Sequence, residues 1–150
     1  MITSRWFKPV IATVFFLLAL FLGGANGMAG RQGAAKGKRL YVHLMNTQEH
    51  ASDVKQHLVA GLQEWGYWKL VDSRKEADVI LNLNVQSHRG VTAWSWGGVT
   101  VRASATLEDM QGQTIWQSRE YKANPNGTNG FNTARATANK IINEMKKQYR

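Results

Sequence analysis

The amino-acid sequence predicts an α+β fold, a single β-α-β-β-β-β-α domain in which a mixed sheet carries two helices on one face. Three observations predict it. Leu40, Val42 and Leu44 alternate with Tyr41, His43 and Met45, and the same period of two runs through 79–85 and 99–107, as on strands with one buried face. Two other stretches, 52–65 and 132–148, repeat apolar residues every three or four positions, as amphipathic helices do. The opposite faces of the strands carry Asn, Gln, His and Thr, so one side of the sheet is left to solvent.

The chain opens with MITSRWFKPVIATVFFLLALFLGGANGMAG, where Arg5 and Lys8 precede an apolar run at 10–22 and small residues follow. These are the three parts of a secretory signal, residues 1–27, with Ala25 and Gly27 spaced for cleavage after Gly27; a second reading cleaves after Ala29. The run has 13 residues against the roughly 20 that span a bilayer, which favours a cleaved signal over a retained anchor. Residues 28–37, MAGRQGAAKG, read as a flexible basic linker, and 38–150 as the domain.

Within the domain the first strand is followed by a turn at 46–49 and by a helix with Ser52 as its N-cap and Val54, Leu58, Leu62 and Trp65 as its apolar stripe. Gly66 ends it as a left-handed C-cap. A short strand at 67–71 and the polar connection DSRKEA, with one helical turn, lead to the clearest strand, 78–88. Val79, Leu81, Leu83 and Val85 face one way there, and Asn82, Asn84, Gln86 and His88 the other. RGVTAWSWGG is a glycine-flanked loop carrying Trp94 and Trp96. The next strand turns Val99, Val101, Ala103, Ala105 and Leu107 inward and Arg102, Ser104 and Thr106 outward, and Asp109, Met110, Gln111 and Gly112 suit a tight hairpin turn. The returning strand, 114–121, leaves its inward face undecided because Ile115 and Trp116 are adjacent. KANPNGTNG is a loop whose Asn126-Gly127-Thr128 is a glycosylation acceptor only in a eukaryotic host. The closing helix buries Ala134, Ala138, Ile141, Ile142, Met145 and Tyr149.

The formal charge is +9, and +7 once Arg5 and Lys8 are removed with the signal (9 − 2). That excess suits anionic partners, and export disfavours nucleic acid among them; it equally serves solubility alone. There is no cysteine, hence no disulfide, no thiol nucleophile and no thiolate metal site. Lipid anchoring at the cleavage site needs a cysteine, so the expectation is a periplasmic or outer-membrane-associated protein that is not a lipoprotein.

The succession LYVHLMNT, VKQHLVAGLQEWGYWKLV, DSRKEADVILNLNV resembles the opening domain of TraT-type surface-exclusion proteins and, more loosely, the curli-secretion, TolB amino-terminal and penicillin-binding-protein-activator domains of the bacterial envelope. The D-x-x-G-x-x-x-W turn of that group is matched by Asp109, Gly112 and Trp116, and the resemblance covers about 38–149. It implies an envelope accessory protein that binds other envelope components, and it carries over no catalytic residue. The chain departs from TraT-like proteins in lacking the lipid-bearing cysteine and the long glycine-rich insert.

His50 and His57 are seven apart, near one side of the first helix, but a zinc pair on a helix uses i, i+4 spacing with a nearby carboxylate. Glu108 and Asp109 are adjacent on a strand, so their carboxylates diverge. No nucleophile elbow, phosphate loop or metalloprotease motif occurs. The expectation is therefore a non-enzymatic protein with no cofactor and no metal. Its candidate partner-binding residues are Trp94 and Trp96, set to insert in a membrane interface, stack on sugars, anchor a protein or fold back over the sheet edge, and Tyr41, His43, His88 and Arg102 on the outer sheet face. Expected partners are an envelope protein or glycan, no nucleic acid, and a second copy in a homo-oligomer. The alternative is a secreted basic protein that binds anionic membranes through the Trp loop.

Overall fold

The computed structural model describes residues 34–89, 99–125 and 132–150. β1 (Arg39–Leu44), α1 (Ala51–Trp65) and β2 (Lys69–Leu70) form a parallel unit, and a 3₁₀ turn (Arg74–Glu76) leads into β3 (Val79–Arg89). β4 (Val99–Asp109), β5 (Thr114–Gln117), β6 (Tyr121–Ala123) and α2 (Thr133–Gln148) complete the chain. The sheet order is β2-β1-β3-β4-β5, with β6 also on β4; β1 is parallel to β2 and β3, and the remaining pairs are antiparallel. The α+β architecture, mixed sheet and element order read from the sequence are those observed.

The alternation of apolar residues positions the core. Leu40, Val42, Val79, Leu81, Leu83, Val85, Val101, Ala103, Ala105 and Leu107 form the inner face, and against them pack Val54, Leu58 and Leu62 of α1 and Ala138, Ile141, Ile142 and Met145 of α2. Each fully buried Leu or Ile contributes about 1.5–3 kcal/mol relative to an exposed one. α1 and α2 meet at Gly61, where an added Cβ would run into the Ile142 side chain.

Three local expectations are corrected. The helix α1 starts two residues earlier than Ser52 as N-cap suggests: His50 occupies the N-cap at φ 64° with no side-chain cap bond, its ring instead 3.0 Å from the Asp53 carboxylate. Residues 34–37, within the stretch read as linker, are tied down. Ala34 is buried and its carbonyl accepts a 3.2 Å bond from Trp68 Nε1, while Gly37 N–H donates to Tyr67 O at 2.8 Å.

The third concerns the returning strand, which is two strands. β5 pairs Leu107 with Trp116 but Glu108 with Thr114, so Ile115 is an extra residue, a bulge. Between the pairs Thr106↔Gln117 and Ala103↔Tyr121, β4 advances three residues and the returning chain four, a second extra residue. Ser118 fills that gap: its N–H donates to Ala105 O, its Oγ accepts from Ala105 N, and its hydroxyl donates to Arg119 O, each at 2.8 Å. The bulge also answers the Ile115/Trp116 ambiguity, since both are half-buried against the core.

The two edges of the sheet differ. Along β5 and β6, α2 supplies side chains to the backbone: Lys140 Nζ donates to Lys122 O at 2.9 Å and Arg119 N–H to Glu144 Oε2 at 3.4 Å. On the other side β1 has five partners on β3 but only Arg39 and Leu40 paired on β2. The start of β1 is fixed by Asp78, which takes the Arg39 N–H at 2.9 Å and the guanidinium at 2.7 Å; the Arg39 side chain, then its backbone N–H, holds the carboxyl well down, at about 2.

Candidate functional site

Because both helices cover one face, the outward residues along 82–88 of β3 and those of β4 and β6 form a polar platform that no helix among the described residues covers. Strand register sets its rows. Gln86, Arg102 and Lys122 stand side by side across the three strands, and His88 pairs with Thr100 in the next row. Thr100 Oγ1 bonds Asn124 Oδ1 at 3.2 Å, extending that row. One end of the platform is a cleft of about 380 Å³ lined by Gln48, Gln86, Ser87, His88, Thr100, Arg102 and Lys122. Gln48 makes its wall, its Oε1 accepting the Ser87 N–H at 3.2 Å beyond the end of β1.

The charges here are unevenly matched. Arg102 is 3.2 Å from Glu120, and Arg89 is 2.7 Å from Glu49 at the rim. Such exposed pairs contribute about 0–1 kcal/mol each, so they orient side chains more than they stabilise. Lys122 has no carboxylate within ion-pair distance among the described residues. All seven lining side chains are polar, able to donate or accept hydrogen bonds to hydroxyls and oxyanions.

The candidate residues fall into two groups. His88 and Arg102 both line this cleft. Tyr41 and His43 stack on each other at 6.3 Å farther along the sheet, and Lys55 Nζ lies 5.8 Å from the Tyr41 ring centre. His43 pairs with Asn82, six residues from His88 along β3, which at about 3.3 Å per residue separates the groups by about 20 Å. Tyr41 instead borders a second cleft, about 250 Å³, between α1 and the free part of β1, with Val42, Lys55, Val59, Gln63, Leu70, Val71 and Asp72. Trp94 and Trp96 lie outside the described residues.

Sequence reasoning missed Lys122, Thr100 and Gln48. Lys122 sat in a stretch read as loop; the alternation of Tyr121, Lys122 and Ala123 was the signal for a strand there. His50 and His57 do not converge on a common point: His50 faces Asp53 and Glu49, whereas His57 Nε2 is 3.3 Å from Asn132 Nδ2. Among the described residues no group of three His, Cys, Asp or Glu could hold a metal ion, and no helix is long and apolar enough to cross a membrane.

No protein-family model and no curated protein matches the sequence. Among solved structures, a PelC dodecamer from Paraburkholderia phytofirmans superposes with a TM-score of 0.53 at 15% identity, over 73% of this chain and 86% of that one. A lipoprotein from Neisseria meningitidis gives 0.47 at 14% identity, over 74% and 96%. A minor lipoprotein from Acinetobacter baumannii gives 0.46 at 16% identity, over 74% and 94%. The chain shares the fold of the PelC structure, and that likeness does not single out the TraT or TolB type. The expectation that the protein is not a lipoprotein is corrected: it rested on the chemistry of one missing residue, whereas proteins named as lipoproteins are similar to this chain across most of its length.

Proposed function

We propose that this chain is an accessory domain of the bacterial cell envelope that binds an envelope component, a glycan or a partner protein, on its outer sheet face and transforms nothing. The observation that carries this reading is the cleft at one end of that face, where Gln86, His88, Arg102 and Lys122 are held side by side by strand register. Three strands fix the backbone under these residues, so binding there orders side chains and no chain segment. The non-enzymatic part is supported by the engagement of four of the ten carboxylates. Asp78, Glu49, Glu120 and Glu144 are each within 2.7–3.2 Å of Arg39, Arg89, Arg102 and the Tyr121 hydroxyl respectively.

The test is capture from envelope extracts. The wild-type domain is expected to retain material that Gln86→Ala with His88→Ala loses at unchanged thermal stability, and equal recovery by both proteins would discard the reading. A parallel comparison with Trp94→Ala and Trp96→Ala reports on the loop. The PelC structures are dodecamers, and assembly of this chain into homo-oligomers belongs to the same proposal; sedimentation velocity reads it directly.

A further inference from the structure

The pairing of β4 with β6 sets Arg102 directly opposite Lys122. Both side chains project to the outer face, and like charges directly opposed across an antiparallel pair destabilise it. Glu120 meets Arg102 at 3.2 Å, and among the described residues its carboxylate alone answers either cation. Arg102 and Lys122 against Glu120 leave one positive charge in excess at this pair (2 − 1). For folding alone this arrangement is a cost, and an anion held between the two side chains would remove it.

Around the opposed pair stand groups suited to hydroxyls. The amides of Gln48 and Gln86 and the hydroxyls of Ser87 and Thr100 line the same cleft. Among the described residues every lining side chain is polar, which suits a hydroxyl-rich ligand better than an acyl chain. About 380 Å³ is room for two or three sugar rings or so.

Resting on the reading of this face as a binding face, we infer that the Arg102–Lys122 cleft takes an acidic polysaccharide, with a carboxylate seated between the two cations and sugar hydroxyls on the flanking amides and hydroxyls. Lys122 is then kept for its ligand at the expense of the unliganded fold. That pairing of effects is what the experiment reads.

Titration calorimetry of the purified protein with an oligogalacturonate hexamer, against maltohexaose as the neutral chain of equal length, is expected to give binding to the first alone, weakened by added salt. Lys122→Gln should weaken that binding roughly ten-fold or more while raising the melting temperature of the unliganded protein. Lys122→Arg should retain binding. Equal affinity for the two sugars, or undiminished affinity in Lys122→Gln, would overturn the inference. So would Lys122-dependent sedimentation with phosphatidylglycerol vesicles in place of sugar binding, or the same calorimetric signal from inorganic phosphate. Should the hexamer fail while capture from envelope extracts still depends on Gln86 and His88, the face binds and the acidic class is wrong; should both fail, the face is not a binding site.

Discussion

Ser118 is a small residue on which a break in the sheet turns. The extra residue between β5 and β6 leaves the Ala105 N–H without a backbone carbonyl opposite it, and the Ser118 hydroxyl takes that place at 2.8 Å. Ser118 is 7% exposed, so its loss leaves the donor dry. Ser118→Ala is expected to cost about 1–3 kcal/mol, read as a lower urea midpoint at constant slope. No sequence pattern marks this role, because serine in a strand usually signals an outward position. His50 was hidden for a related reason: a non-glycine residue at φ 64° is uncommon, and the reader of a sequence reasonably prefers Ser52 as the cap.

At the level of elements, the long strands and both helices were legible because their apolar periods are unbroken. Val79, Leu81, Leu83 and Val85 are all fully buried, as are Val54 and Leu58. What was not legible was the split of β5 from β6, where two inserted residues disturb the period. The price of missing β6 was Lys122, the site's least expected member. Gly61 shows how the helices fix each other's distance. Its missing Cβ lets Ile142 lie against α1, and the obstructing atom is the mobile end of that side chain. Gly61→Ala should therefore be near neutral, the gain in helix propensity of about 1 kcal/mol offsetting a rotated Ile142. Gly61→Leu should lose about 1–3 kcal/mol through overpacking. Chemical denaturation of the pair, with Ile142→Ala in the Gly61→Leu background partly restoring stability, checks both.

On the scale of the molecule, one end is closed by aromatic rings. Trp68 lies 5.3 Å from Trp65, 4.8 Å from Tyr67 and 5.1 Å from Tyr149, and so joins the ends of α1 and α2 to the carbonyl of Ala34. Burial pushes the Tyr149 phenol up to about 12. The folded protein holds that proton more tightly than the unfolded chain, whose tyrosines titrate near 10. Its contribution is complete below about pH 10 and is lost as pH rises through about 12. Thermal melts of the wild type are expected to fall steeply over that window, and Tyr149→Phe to fall less. The composition gave no hint of this assembly, since tryptophans spaced three apart across a helix end carry no period.

The unequal sheet edges have a consequence for crowding. Lys140 and Glu144 occupy the Lys122 carbonyl and the Arg119 N–H on the β5–β6 side, which interrupts the ladder a neighbouring copy could add there. Beyond Leu40, β1 has no strand beside it on that flank among the described residues. Two copies that zip together flank to flank by each offering this same short stretch have used up what that flank had to offer. Such growth ends at two, which protects a chain with no covalent staples from fibrous stacking.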